Sequence, residues 1–341
     1  MKKIDGGGRG ALGEISGKEA VVAIGVFDGV HLGHRALLTQ AAEIGKRHGL
    51  PLVAVTFHPH PRTLTATTNG YDRLLTPPHE KAWLIEECGA EYLITLQFTE
   101  KLASTSPRDF VASYLAREIR SRHVVCGFNF TFGHRGAGTP RDLAEWGEEL
   151  GFVTHVMPPY IVGGEIVSST RVRSCLHEGD VTGAEECLGR PYCLWGYVSP
   201  GDGRGRRIGV PTSNLTVPED KLMPAPGVYA GWASLFWSGS EPGGKEISGS
   251  ACVVNIGTRP TFGGSGLRVE VHIPGFAGDL YGQPMQVFLL RRLRDEKKFP
   301  DVPALRAQID RDIREALALF ATGPSFTPPG AYGRMLASEL P

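Results

Sequence analysis

The sequence predicts an α/β domain built on a parallel sheet, followed near residue 190 by a small antiparallel β domain closed by one helix. Three observations predict it. From about residue 20, short β-branched runs alternate with helical periods, the pattern of strands covered by helices. After Gly189-Arg190-Pro191 the texture changes to period-2 runs broken by Gly and Pro. The length of 341 residues suits two domains at roughly 100 to 200 residues each.

Val21 to Phe27 reads as a buried strand. His34 to His48 reads as a helix, because Leu37, Ala41 and Ile44 share one face. Leu52 to Phe57 completes a βαβ unit with a right-handed crossover. Thr76-Pro77-Pro78 starts a helix that ends at Gly89, and Tyr92 to Leu96 is a strand. Ser106-Pro107 starts another helix, with a hydroxyl cap and Pro at the first turn. Val124 to Phe132 and Phe152 to Met157 read as strands, Ser168 to His177 and Val181 to Leu188 as helices. In the second half, Leu194 to Val198, Val228 to Trp237, Ser250 to Ile256, Leu267 to Ile273 and Met285 to Leu290 alternate as strands of an antiparallel barrel or sandwich. Pro303 to Phe320 is amphipathic, with Leu305, Ile309 and Ile313 on one stripe. Ser238 to Ser248 reads as a hairpin insertion and Gly323 to Pro341 as a tail.

Composition excludes several classes. With Gly 45 and Pro 25 the pair makes up about a fifth of the chain, short of the roughly 25 to 30% of low-complexity sequences. Thirty-six basic residues balance 36 acidic ones, so the footprint of a general nucleic-acid or anionic-membrane binder is missing and any phosphate site is local. The longest apolar runs, Ala20 to Phe27 and Leu50 to Phe57, are far below the roughly 18 to 20 residues that span a bilayer. Met1 to Gly10 carries two lysines without an apolar run behind them, so no secretory signal is expected. The six cysteines form no CxxC or metal spacing; reduced thiols in a cytoplasm are expected.

The stretch from Gly25 to His34, GVFDGVHLGH, falls where a strand ends and a helix begins, so backbone N–H groups and the helix dipole face one crevice. An anion fits there. Gly25, Gly29 and Gly33 permit close approach of the backbone, with Phe27 and Asp28 between them, and His31 and His34 project to one side as donors to phosphate oxygens. A bare His-x-x-His is a solvated helix cap; the glycines, Asp28 and the preceding strand favour the phosphate reading. Ser168-Ser169-Thr170-Arg171-Val172-Arg173 opens a second helix with hydroxyls and guanidiniums, either a capped helix with exposed arginines or a second anion clamp. No Gly-x-x-x-x-Gly-Lys-Ser/Thr is present. Thr56-Phe57-His58-Pro59-His60-Pro61 follows a strand end, and Phe128, Phe130 and Phe132 are expected to face one way with Asn129 opposite, as core or as a ring-binding wall.

In the second half, Gly203 to Asn214 joins a flexible basic loop to Thr212 and Asn214, two hard oxygen ligands suited to Mg²⁺. Glu270 shares a strand face with Arg268 and His272, as a cross-strand ion pair or as a general base toward a hydroxyl.

Taken in order with Asn255-Ile256-Gly257-Thr258-Arg259-Pro260-Thr261-Phe262 and Gly278-Asp279-Leu280-Tyr281-Gly282, these motifs resemble the bacterial bifunctional riboflavin kinase and FAD synthetase family over about residues 15 to 320. The resemblance implies a Rossmann-like nucleotidyltransferase domain over 15–188, a β-barrel riboflavin kinase domain over 191–322 and a tail over 323–341. It implies ATP as co-substrate of both, Mg²⁺ as cofactor, and riboflavin, FMN and FAD as ligands, with no nucleic acid and no membrane; an oligomer is compatible with the sequence but nothing in it specifies one. By position, His31 and His34 resemble the family's ATP-phosphate histidines, within a loop of Gly25, Phe27, Asp28, Gly29 and Gly33. Ser169, Thr170 and Arg173 resemble its second clamp. Phe57, Pro59, Pro61, Asn129 and Phe130 resemble its flavin side. Gly205, Arg206 and Gly209 resemble the kinase phosphate loop, Thr212 and Asn214 its Mg-nucleotide pair, and Glu270 its base. Ile166 stands where some members carry an arginine, and Pro274-Gly275 replaces an apolar-acidic pair. Two other classes are weighed against this one: a flavin-sensing protein without turnover, and a nucleotidyltransferase joined to an RNA-binding barrel, which the neutral charge opposes.

Overall fold

Six parallel strands carry the first half of the chain in a computed structural model that describes residues 1–5, 19–65, 73–201, 205, 208–237, 245–258, 267–276 and 278–322. Arg206, the 259–262 part of one motif, residues 238–244 of the expected insertion and the 323–341 tail lie outside the described residues. The chain divides into two compact units, Met1–Ser169 and Thr170–Pro341.

In the first unit, β1 (Lys2–Asp5), β2 (Ala20–Ile24), β3 (Leu52–His58), β4 (Tyr92–Gln97), β5 (Ser121–Gly127) and β6 (Val153–Met157) line up in the order β1-β4-β3-β2-β5-β6. Every ladder is parallel. All five residues of β2 are buried, as a strand covered on both faces must be. The covering helices are α1 (Leu32–His48), α2 (Pro61–Thr65), α3 (Pro78–Glu87), α4 (Glu100–Ala103), α5 (Pro107–Phe110) and α6 (Pro140–Leu150). α1 buries Leu37, Leu38, Ala41 and Ile44, each Leu or Ile worth about 1.5 to 3 kcal/mol. It stops at Gly49, whose φ of 65° is the left-handed conformation glycine adopts freely. Successive strands step outward from β2 in both directions, so the order reverses between β2 and β5, and a crevice opens there at the carboxyl ends.

Two elements differ from the sequence expectation. The strand expected over Val124 to Phe132 ends at Gly127; the Phe130 N–H donates to the Gly127 carbonyl at 3.1 Å and turns the chain. Phe128, Phe130 and Phe132 therefore do not face one way. Phe132 is buried and stacks on Phe130 at 5.5 Å, whereas Phe128 is 42% exposed. The 139–151 stretch, for which no element is expected above, forms α6, with Leu143, Trp146 and Leu150 at helical spacing. A Thr139–Asp142 capping box starts it and Gly151 at φ 87° ends it.

After a short hairpin of β7 (Ile161–Val162) and β8 (Glu165–Ile166), the second unit takes up α7 (Ser169–Glu178, from Thr170) and α8 (Val181–Leu188). β9 (Tyr192–Ser199), β10 (Ser213–Thr216), β11 (Gly227–Trp237), β12 (Lys245–Thr258), β13 (Leu267–His272) and β14 (Pro284–Arg294) then close into an antiparallel barrel in the order β10-β13-β12-β11-β14-β9. Pairing of Ser199 with Asn214 makes the closure and decides for a barrel over a sandwich. α9 (Val302–Thr322) lays Ile313, Ala316 and Leu319 on Val228, Ala230 and Val253. Arg294 fastens it through Asp312 at 2.8 Å. Among the described residues no helix is long and apolar enough to cross a membrane, and the six cysteines are free.

On β5 and β6, His123 Nδ1 lies 3.1 Å from His155 Nε2, with His48 of α1 beside His123. Burial, and then the charges of His48, His155, Arg122 and Arg47, hold His123 below its usual value of 6.5; burial, then Arg47 and His48, do the same to His155. The unfolded chain therefore takes up these protons first, and the stability contributed by the neutral pair is complete above about pH 6.5 and is lost as the pH falls below it. Urea midpoints at pH 7.5 and 5.5 are expected to differ more in the natural chain than in a His155→Gln variant; equal differences would remove the pair from the account.

Candidate functional site

The turn after β2 is held against its own backbone preferences. Phe27 and Val30 have φ of 51° and 40°, left-handed values that cost a bulky residue energy unless the surroundings impose them. Those surroundings are specific. The Val26 carbonyl accepts from Thr56 Oγ1 at 2.9 Å and from Lys81 Nζ at 3.0 Å. Asp28 Oδ1 accepts the Leu75 and Thr76 N–H groups at 3.0 and 3.3 Å, and Gly29 N–H donates to Thr76 Oγ1 at 2.9 Å. Ser169 Oγ donates to the Asp28 carbonyl at 2.9 Å. Burial lowers the pKa of the Lys81 ammonium, and Asp28 opposes that shift.

Phe27 and Asp28 are themselves buried, so their side chains shape the turn from behind. His31 caps α1, its Nδ1 accepting from the His34 N–H at 3.3 Å. The two imidazoles stack with centroids 3.6 Å apart, and Phe27 stands edge-on to His34 at 5.3 Å. Gly33 permits this: a Cβ there would come within 3.3 Å of the His31 ring and 3.5 Å of Tyr160 Cβ. Paired imidazoles on the first turn of a 17-residue helix, at the strand-order reversal, suit a polyphosphate. A cavity of about 870 Å³ lies at the opposite, amino edge of the strands, lined by Glu19, Glu43, Glu87, Glu91 and Lys46. Its acidic wall disfavours a polyphosphate there.

Other expected residues distribute unevenly. Phe57 is buried in the sheet core against Phe98 and Phe110. Pro59 follows a cis peptide bond and Pro61 starts α2. Asn129 is exposed on the turn after β5, and Phe130 packs partly against the core. Thr170 and Arg173 follow Ser169 on α7, three residues apart and thus on one helix face. Sequence reasoning missed Thr56, Thr76 and Lys81, which hold the turn from β3, from the loop before α3 and from α3; the hydroxyls and the amine carry no local signal of that role.

In the barrel, Asn214 of β10 is the direct cross-strand partner of Glu270 on β13, and Glu270 is in turn opposite Asn255 on β12. These three share the face away from the buried Val269 and Val271. Asn255 joins the row only through pairing. Thr212 lies just before β10, exposed, and a Cβ on Gly205 would meet Thr212 Oγ1 at 3.1 Å and the Val210 carbonyl oxygen at 2.3 Å. Gly209 holds φ of 75° where a Cβ would strike Arg306 Nη1 at 2.6 Å. Arg268 Nε donates to Asn214 Oδ1 at 2.5 Å and lies 3.1 Å from Glu270 Oε1. The ion pair of Glu270 with Arg268 is present, but it lies within β13 rather than across strands, and the contact that does cross strands is the one from Arg268 to the Asn214 amide on β10.

Known proteins resemble both units. Residues 14–171 match the family model described as FAD synthetase, and residues 188–320 that described as riboflavin kinase. The bifunctional riboflavin kinase/FMN adenylyltransferase of Escherichia coli K12 is 37% identical over 88% of this chain and 92% of its own length. That of Bacillus subtilis is 35% identical over 89% and 93%. A solved Streptococcus pneumoniae structure, described as a macrolide-efflux protein, covers 95% of this chain and 100% of its own at 29% identity with a TM-score of 0.81.

Asp28→Ala should leave two buried backbone N–H groups without an acceptor, lowering unfolding stability by about 1 to 3 kcal/mol for each. Urea denaturation of the full chain measures it; an unchanged midpoint would mean that the carboxylate does not hold the turn.

Proposed function

Because the chain belongs to the bifunctional riboflavin kinase/FMN adenylyltransferase family, we propose that residues 191–322 carry riboflavin phosphorylation and residues 15–188 FMN adenylylation, each at the phosphate site described above. The enzyme makes FMN and ADP from riboflavin and ATP, then FAD and pyrophosphate from FMN and ATP. The observation that supports the assignment is that two chemically different polar clusters stand in separate units, one of stacked imidazoles on a helix start, the other of a carboxylate and amides on a barrel face.

In the first unit, His31 and His34 donate to ATP phosphates, and the N–H groups of the Gly25–Gly33 turn add fixed dipoles. Ser169, the last residue of this unit, adds a hydroxyl beside the turn through its bond to the Asp28 carbonyl. A phosphate oxygen of FMN attacks the α-phosphorus of ATP and pyrophosphate leaves. No base is needed, because the nucleophile is already anionic. Asn129 and Phe130 on the turn after β5, with Pro59 and Pro61 after β3, form the flavin side, and Phe57 supports them from the core.

In the barrel, Glu270 takes the proton of the ribityl 5′-hydroxyl as its oxygen attacks the γ-phosphorus of ATP and ADP leaves, a contribution of roughly 10² to 10⁴-fold. Gly205 and Gly209 belong to the loop that would lie over the phosphates. Thr212 Oγ1 and Asn214 Oδ1 suit Mg²⁺: both are hard neutral oxygens, and the described residues contain no cluster of three or more His, Cys, Asp or Glu for a metal held by protein alone. Bound there with the nucleotide, Mg²⁺ would neutralise charge between the β- and γ-phosphates. Asn255 is the cross-strand neighbour of Glu270 on β12.

The lesions should separate. Replacing His31 and His34 with Ala is expected to abolish FAD formation from FMN, each contact costing on the order of 3 kcal/mol, while FMN formation persists. Glu270→Gln should do the reverse. Chromatography of riboflavin, ATP and Mg²⁺ with each variant follows both products. One substitution stopping both steps in a folded chain would refute two independent sites, and accumulation of neither product with the natural chain would leave a flavin-binding protein without turnover.

A further inference from the structure

Arg268 occupies a position that the phosphorylation site must give up. Arg268, Glu270 and His272 alternate along β13 on the face away from the core, and β10 presents Asn214 directly opposite Glu270. The guanidinium bridges the two: Nε donates to Asn214 Oδ1 at 2.5 Å and is 3.1 Å from Glu270 Oε1. Backbone seals the cluster on one side. A Cβ on Gly201 would fall 1.8 Å from Asn214 Nδ2 and 3.1 Å from Arg268 Nη2, so no side chain fits at 201 while the bridge is closed. Arg268 and Glu270 side chains are each 27% exposed, which leaves the guanidinium a path outward.

The oxygen a divalent cation would take from Asn214 therefore already faces a cation. Two positive charges within a few ångströms of one amide oxygen repel, by about 1 kcal/mol in water-like surroundings and more where water is excluded. We propose that Arg268 is a positioning residue acting as a place-holding cation: without nucleotide it keeps Asn214 and Glu270 in register, and it leaves Asn214 Oδ1 when the metal–nucleotide complex arrives while staying beside Glu270. The proposal rests on the reading of Asn214 as a metal ligand and Glu270 as the base. A guanidinium suits the task because its fork of N–H groups spans an amide oxygen and a carboxylate at once, which an ammonium does not.

The test compares the natural full-length chain with Arg268→Met and Arg268→Lys. Mn²⁺ binding in the presence of the unreactive β,γ-methylene analogue of ATP is followed by electron paramagnetic resonance. Arg268 belongs to the barrel, so a difference between variants reports that site. Arg268→Met is expected to bind Mn²⁺ about fivefold more tightly, because the competing charge is gone. Arg268→Lys, which keeps the charge, should stay within about twofold of the natural chain. In a parallel kinetic assay, Arg268→Met should lower kcat for riboflavin phosphorylation, since Glu270 loses the guanidinium 3.1 Å from it, while FAD formation from supplied FMN, which uses the other unit, should not change. Unchanged or weaker Mn²⁺ binding in Arg268→Met would overturn the proposal and leave a surface ion pair. If the natural chain itself did not phosphorylate riboflavin, the kinase reading would fail instead, a result separate from the Mn²⁺ comparison.

Discussion

The carbonyl of Val26 accepts two hydrogen bonds from elements far apart in sequence, Thr56 on β3 and Lys81 on α3, and the geometry of the first unit's site depends on it. With that oxygen fixed and Asp28 tied to Leu75 and Thr76, the chain is forced through positive φ at Phe27 and Val30, and α1 starts where its N–H groups point into the crevice. The arrangement places buried charges, Lys81 and Asp28, behind the turn and leaves the histidines in front. Rigidity is the functional point, because adenylyl transfer asks the protein mainly to align anionic groups and neutralise them.

The barrel meets the same demand by another route. Closure between β9 and β10 brings Asn214 beside Glu270, and the neighbouring β12 adds Asn255, so one carboxylate and two amides stand in a row across three strands. Neutral oxygens there leave the charge of any bound metal to be balanced by nucleotide phosphates, which ties cation and nucleotide binding together. Arg268 fits this scheme as the charge that stands in until both arrive.

Chemically the two units differ in what they must supply. A ribityl hydroxyl is a weak nucleophile and needs a base, the role proposed for Glu270 on the barrel's polar face; the phosphate of FMN needs none, and the α/β unit presents stacked imidazoles and backbone dipoles. The product of the first reaction is the substrate of the second, so one chain carries out consecutive steps with one co-substrate.

Much of this is written locally. Hydrophobic period and glycine punctuation place β2, α1, β3 and α8 within a few residues, since burial on one face and helix stops are properties of short stretches. The Gly25–His34 stretch and the Thr212–Asn214 pair are legible because close backbone approach and hard ligands require particular residue types. α6 is local as well, its Thr139–Asp142 capping box followed by Leu143, Trp146 and Leu150 at helical spacing, whereas the Phe128–Phe132 alternation reads as a strand although a hydrogen bond from Phe130 to Gly127 turns the chain. By itself the sequence determined two units of different class and the residue types of each proposed phosphate site. Only the tertiary structure decided that the second half is a closed barrel, that Lys81 and Thr56 share one carbonyl, and that Arg268 spans Asn214 and Glu270. The reason is that each of these is a contact between segments distant in sequence, fixed by strand register and sheet closure rather than by any neighbour along the chain.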